Sequence, residues 1–260
     1  MQTALKVEII KTKSSNYLKI ALILPLIFLI FTLMTLLSSQ NPTGLSDGIS
    51  IIQTNIFNLW SLILLPFCIV MIINSDYQQE NRALGWQQVE ANNWPLQPLY
   101  WSKTFKYWLL LFLSHLTLVL VVVISNLLTT KVSVNAGLLL ATSLVLWLGS
   151  LPLIVINMHL LRYLNAIIVS ILNLALSMGS AIYNISLSHY FWIDPWSYAS
   201  RTIALLRIQP NGTSFSPGSF FANDVSFIYL ILLSVSVWLL FNYFLSFIIV
   251  RKRQGGNELV

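Results

Sequence analysis

Apolar residues run along this chain in blocks. Six stretches are almost unbroken by charge, at about 18–38, 51–73, 105–128, 137–158, 163–186 and 225–250. Each exceeds the roughly 18 residues that a helix needs to cross a hydrocarbon core about 30 Å thick. A helix satisfies its own backbone groups where water is absent, and the alternation expected of barrel strands is missing. The pattern predicts an all-α membrane protein with six transmembrane helices, forming one transmembrane domain over 1–260.

Polar residues gather in the connections, above all in 76–108, "DYQQENRALGWQQVEANNWPLQPLYWSKTFKYW". This stretch holds Asp76, Glu80 and Glu90, Arg82, Lys103 and Lys106, and Trp86, Trp94, Trp101 and Trp108. A connection of about 30 residues inside a compact fold has structure or work of its own. Read as a helix over 78–92, it sets Ala83, Trp86, Val89 and Asn93 on one stripe and Glu80, Arg82 and Glu90 largely elsewhere. Pro95 and Pro98 then break it. Such a helix lies along the membrane face, with the tryptophans in the aromatic belt. It reads either as an anchor positioning the second and third spans or as a lever offering its acids to a soluble partner.

Composition supports the membrane reading. With 57% hydrophobic and 8% charged residues, the chain has too little polar surface to cover a soluble globule. The bases fix an expected orientation. With the N-terminus in the cytoplasm, Lys6, Lys11, Lys13, Lys19, Arg82, Lys103, Lys106, Arg162, Arg251, Lys252 and Arg253 fall inside, eleven of the 14 Lys and Arg. Only Lys131, Arg201 and Arg207 fall outside, so both termini are expected to be cytoplasmic. The net charge of +6 is then a topology signal, not a nucleic-acid footprint. The first apolar run is too long for a signal-peptide core and lacks a small-residue cleavage site, so it reads as an uncleaved span.

Several chemistries lack their residues. No HExxH, G-x-S-x-G or G-x-x-x-x-G-K-[ST] motif occurs, so neither a zinc protease, a serine hydrolase elbow nor an ATP-phosphate loop is expected. Cys68, the single cysteine, lies within the second span. No acid or base lies well inside the six spans, which disfavours an ion-coupled carrier. His115 in the third span reads as an interhelical hydrogen-bonding contact, and His159 and His189 lie too far apart to share a metal with it. Pro25, Pro66 and Pro152 are expected to kink helices. Ala175, Ser177, Gly179, Ser180 and Ala181 give the fifth span small residues for close packing.

The longest outer connection, between the fifth and sixth spans, reads "SHYFWIDPWSYASRTIALLRIQPNGTSFSPGSFFAND". Trp196, Ala199, Ile203 and Leu206 fall on one helical face, with Arg201 and Arg207 placed to meet headgroups, so this helix is expected at the outer interface. Asn211-Gly212 reads as a turn.

Six spans, a basic stretch at each end and an inner loop carrying "QQENRALGWQQVEANNWPLQPLYWSKTFKYW" resemble the permease subunits of type-2 ABC exporters. The chain is similar in particular to the lantibiotic-immunity permeases, the E and G subunits, and its "QPNG" segment inclines toward G. The resemblance implies an ATPase-coupling loop in which Glu80, Trp86, Pro95 and Lys103 match the family pattern, with Arg82 and Glu90 beside them. It implies an outer segment, for substrate or interface, carried by Trp192, Asp194, Trp196, Arg201, Arg207 and Asn211. It further implies two copies of an ABC ATPase that brings ATP and Mg, a second related six-span permease, membrane lipid around the spans, and a cationic lanthionine peptide as cargo. No cofactor or metal is expected in this chain, no enzyme activity of its own, and no nucleic-acid partner. The cell envelope implied is the cytoplasmic membrane of a Gram-positive bacterium. Two alternatives stay open: a type-2 permease exporting another drug, lipid or polysaccharide, and a membrane sensor or assembly protein without transport.

Overall fold

The computed structural model describes residues 2–13, 15–38, 45–46, 49–83, 91, 96–129, 136–183, 185–203 and 226–256. Nearly all of them are helical. A short helix α1 (Gln2–Thr12) precedes α2 (Asn16–Ile23) and α3 (Ile27–Ser38), and a two-residue antiparallel pair, Leu45–Ser46 with Ile49–Ser50, precedes α4 (Ile51–Leu59) and α5 (Leu65–Arg82). Then follow α6 (Leu96–Thr129), α7 (Ala136–Gly149), α8 (Leu151–Leu160), α9 (Ala166–Ile182), α10 (Pro195–Thr202) and α11 (Ser226–Gly256).

Among the described residues, four continuous helical rods are long and apolar enough to cross a membrane: Asn16–Leu37, Ile52–Arg82, Gln97–Leu128 and Ala136–Leu160. Two shorter apolar helices, Ala166–Ile182 and Tyr229–Phe244, pack beside them. The chain is therefore an all-helical protein whose long apolar helices suit a membrane.

Prolines shape three of the rods. Pro25 sits in a single 3-10 turn, Leu24–Leu26, that joins α2 to α3. Pro66 has no N–H and crowds the carbonyl four residues back, and the turn before it widens: Trp60–Leu64 is π-helical, with Leu65 N–H donating to the Trp60 carbonyl. Pro152 opens α8 after the turn at Ser150. All three expected interruptions are present.

Other boundaries differ from those the hydropathy predicted. The second rod does not stop near residue 73, and no new helix begins at 78. Helix α5 runs unbroken to Arg82: Gln78, Gln79, Glu80 and Arg82 are good helix formers, and the buried ion pairs of Asp76 and Glu80 with Lys103 offset the weaker propensities of Asn74 to Tyr77. Pro98 does not break a helix either. It lies in the first turn of α6, where its missing N–H would have had no partner. Among the described residues a Cβ on Gly179 would meet nothing within 4 Å, so none of them packs closely on it.

Polar side chains stitch the rods together at successive depths. Thr32 and Ser125 share a hydrogen bond of 2.8 Å, and Tyr77 Oη donates to the Met158 carbonyl at 2.9 Å. Trp108 stacks on Trp147, with ring centroids 4.5 Å apart, and Trp147 Nε1 donates to the Trp108 carbonyl. His115 bridges rods as expected. It accepts from Trp60 Nε1 at Nε2 and bonds the Leu111 carbonyl through Nδ1 at 2.8 Å, which fixes it as the neutral Nδ1–H tautomer.

Helix α10 folds back into the bundle. Gly149, roughly 20 Å along the α7 axis from its start, meets Tyr198 and Thr202 of α10; a Cβ there would lie 3.6 Å from Tyr198 Cβ and 3.8 Å from Thr202 Oγ1. One methyl group fits that gap and a larger group does not. Gly149→Ala should leave the thermal midpoint in detergent near that of the wild type. Gly149→Leu should cost about 2 kcal/mol by overpacking, read as a clear fall in the same midpoint; an unchanged midpoint would mean that α10 is not seated there.

Candidate functional site

At one end of the bundle, three helices converge on a buried group of charges. Helix α1 brings Glu8, α5 brings Asp76 and Glu80, and α6 brings Lys103 and Lys106. Asp76 and Glu80 are four residues apart and Lys103 and Lys106 three, so each pair projects from one face of its helix. Lys106 Nζ donates to Glu8 and, at 2.8 Å, to Asp76 Oδ1; Lys103 Nζ donates to Glu80 and, at 3.3 Å, to Asp76 Oδ2. Lys11 on α1 reaches Glu8 at 3.2 Å and Glu80 at 3.4 Å. Tyr107 Oη donates to Asp76 Oδ2, and the Lys106 ammonium lies 5.0 Å from the Tyr17 ring centroid.

Burial is nearly complete. Glu8 is 0%, Asp76 1%, Lys103 2% and Lys106 2% exposed, and only Lys11 reaches solvent substantially. Among the described residues three carboxylates balance three ammoniums, so their charges cancel. One oxygen from each of Glu8, Asp76 and Glu80 lies within 4.8 Å of the other two, close enough to hold a cation. Here the lysine ammoniums sit between them and supply that positive charge.

For Glu8, burial pushes the carboxyl pKa up, and the neighbouring Lys103 and Lys106 charges outweigh it; the pKa lies below the ordinary value. The proton therefore stays off, and α1 remains tied by an ionised group.

The sequence-predicted coupling residues divide. Glu80 and Lys103 are brought together, but with each other and inside the bundle, so Glu80 is not on a wet face awaiting a partner. Arg82 is exposed at the end of α5. Trp86, Glu90 and Pro95 lie outside the described residues. Glu8 was missed, since the N-terminal segment was read only as a basic flank. Its signal was present: Glu8 is the single acid among the first 46 residues, surrounded by lysines, and it stands three residues before Lys11.

The second constellation surrounds α10. Asp194 caps it, accepting from Trp196 N–H at 3.0 Å and from the Ser180 hydroxyl, and Pro195 occupies the first turn. Trp196 Nε1 donates at 2.9 Å to Asn173, which pairs its amide with that of Asn157 through bonds of 2.6 and 3.2 Å. Ser197 through Thr202 are buried. The expectation that this helix lies at an interface with Arg201 among headgroups is corrected. Arg201 is only 4% exposed, donates to the carbonyls of Ser186 at 2.9 Å and Ser188 at 3.4 Å, and lies 3.8 Å from the Phe191 ring centroid. Folding back, α10 thus carries into the bundle a charge that the apolar runs themselves lack. Trp192 is exposed, while Arg207 and Asn211 lie outside the described residues.

No family model, curated protein or solved structure matches this chain. The geometry alone defines the class: an all-helical protein fit for a membrane, with charges buried at one end and a short helix buried among the rods.

Breaking a buried pair leaves an uncompensated charge, which costs about 3–5 kcal/mol. Glu8→Gln or Lys106→Met alone should therefore lower the thermal midpoint strongly. The double variant should recover part of the loss; strictly additive losses would show that the two side chains do not interact. The pH dependence has a defined sign. Because the folded pKa of Glu8 is lowered, its stabilisation is full above the ordinary carboxylate pKa and is lost as pH falls from there through the folded value. A spin label on Lys6→Cys, in a Cys68→Ser background, should become mobile over that acid window and not on the alkaline side of neutrality.

Proposed function

We propose that this chain is the permease subunit of an ATP-driven type-2 exporter, one that expels a cationic lanthionine peptide from its producer's membrane. In this reading six helices span the membrane, with both termini and the buried charges on the cytoplasmic side, as the excess of bases there favours. The membrane is the cytoplasmic membrane of a Gram-positive bacterium. A separate ATPase in two copies supplies the energy, and a second related permease completes the path.

The observation that carries the reading is the clamp at the base of the 83–95 connection. It leaves the bundle from α5 and returns to it through α6, and those two helix ends are joined by Lys103 with Glu80 and Asp76. Force applied to the connection is then delivered to both helices at once, and through Glu8 to α1. A loop with floppy roots would absorb the motion. Buried α10, packed against α7 and α9, gives the opposite half a discrete element to displace. Cargo that enters from outside and is removed from the outer leaflet needs no wide polar channel, which agrees with the apolar middle of the rods.

Burial of Glu80 changes which substitution tests the coupling. Glu80→Arg disrupts the charge group itself, whereas Trp86 and Glu90 belong to the connection. Tagged wild-type chain from native membranes should recover an ATPase and a second six-span permease, identified by mass spectrometry. Trp86→Ala with Glu90→Arg should lose the ATPase. Absence of any ATPase from the wild-type preparation would end the exporter reading.

A further inference from the structure

Beside the charge group, but on the outer side of α5, a cavity of about 390 Å³ opens between the start of α2 and the end of α5, lined by Asn16, Ser75, Gln78, Gln79, Arg82 and Ala83. Among the described residues its polar lining is one guanidinium, three amide side chains and one hydroxyl, without a carboxylate. Arg82 takes part in no ion pair among the described residues. Glu80, two positions away, makes its ion pairs with Lys103 and Lys11 instead. Lys19, exposed one turn beyond Asn16, adds positive charge on the same helix face.

That donor set fits a phosphate: a guanidinium presents a fork of N–H groups, and the amides supply further donors around it. The surroundings identify the source. Asn16 begins the first long apolar rod and Arg82 ends the second, so the cavity lies where hydrocarbon gives way to headgroups. Below it, on the stripe that carries Asn16 and Lys19, Ile23, Ile27 and Ile30 are 57%, 44% and 61% exposed. A headgroup pocket thus continues into an apolar track along one helix.

We propose that this cavity holds the phosphate of an anionic phospholipid, with an acyl chain along Ile23, Ile27 and Ile30. On the orientation above, the lipid belongs to the inner leaflet, whose negative surface suits a basic site. The inference rests on the membrane reading and stands whether or not an ATPase binds the chain.

The test measures phospholipid retained by the purified full chain, by native mass spectrometry, from equimolar phosphatidylglycerol and phosphatidylcholine. Wild type should retain phosphatidylglycerol preferentially. Arg82→Gln should weaken that retention about fivefold, the worth of one surface base near anionic lipid, without changing the lipid-free thermal midpoint, since Arg82 is exposed. Lys6→Gln, an exposed charge on α1, should retain lipid as the wild type does. Equal retention by Arg82→Gln, or equal loss in Lys6→Gln, overturns the site. Stabilisation by glycerol 3-phosphate or inorganic phosphate equal to that by phosphatidylglycerol would make the ligand a soluble phosphate and overturn the lipid assignment. Loss of a bound protein from Arg82→Gln, with lipid retention intact, would make the cavity a protein contact and overturn it as well.

Discussion

The bond between Lys106 and Glu8, with Asp76 completing the bridge, is the constraint on which one whole end of this structure depends. Removing charges from water costs several kcal/mol per ion, and mutual attraction offsets this only when every carboxylate has donors and every ammonium has acceptors. Here each does. A patch of leucines in the same place would bury surface without directional bonds, whereas Lys106 must meet both Glu8 and Asp76. The ion group admits one register. Its contribution is therefore to position, and position matters most where a long connection enters and leaves the bundle.

The other organising element obeys the same rule of polar satisfaction by different means. An eight-residue helix has too few internal hydrogen bonds to stand alone. Helix α10 survives inside the bundle because side chains supply what its backbone cannot. Asp194 caps its start, Ser197 bonds the carbonyls of Phe191 and Asp194, and Thr202 bonds back to Tyr198. Arg201 satisfies the carbonyls of the preceding turn and covers its charge with the Phe191 ring. The Asn157 and Asn173 amides hold their two helices together and leave an oxygen for Trp196. Unpaired, any of these groups would make the apolar surroundings prohibitive.

Much of this was legible in the sequence, and the misreadings share a cause. Unbroken apolar runs announce long helices, and the prolines announce their interruptions. The polar block at 76–108 announced itself by contrast. Its inner logic did not, because Lys106 and Glu8 are 98 residues apart and periodicity reports only neighbours on one helix. Hydropathy falls after residue 73 while the helix goes on, because Gln78 and Gln79 favour it and because Asp76 and Glu80 are held by Lys103 from another helix. Arg201 was taken for a surface anchor for the same reason: composition gives the polarity of a residue but not the depth at which its neighbours can satisfy it.

The two poles are joined through the second rod. At one end α5 carries Asp76 and Glu80 into the charge group; toward the other, the π-helical turn Trp60–Leu64 packs against α9 and α10. Trp60 is locked there, donating to His115 and meeting Phe28 edge to face at 6.3 Å. A π turn is where a helix has already given up its regular ladder, so a further change of register costs less there than elsewhere along the rod. The indole contacts oppose such a change. Movement of the charged end thus has two physical outcomes: with Trp60 held, the rod moves as one body and displaces α10, and with Trp60 released, the π turn takes up the motion locally. What resists the second outcome is the packing of Trp60: a hydrogen bond of 3.4 Å to His115 and edge-on contacts with the His115 and Phe28 rings.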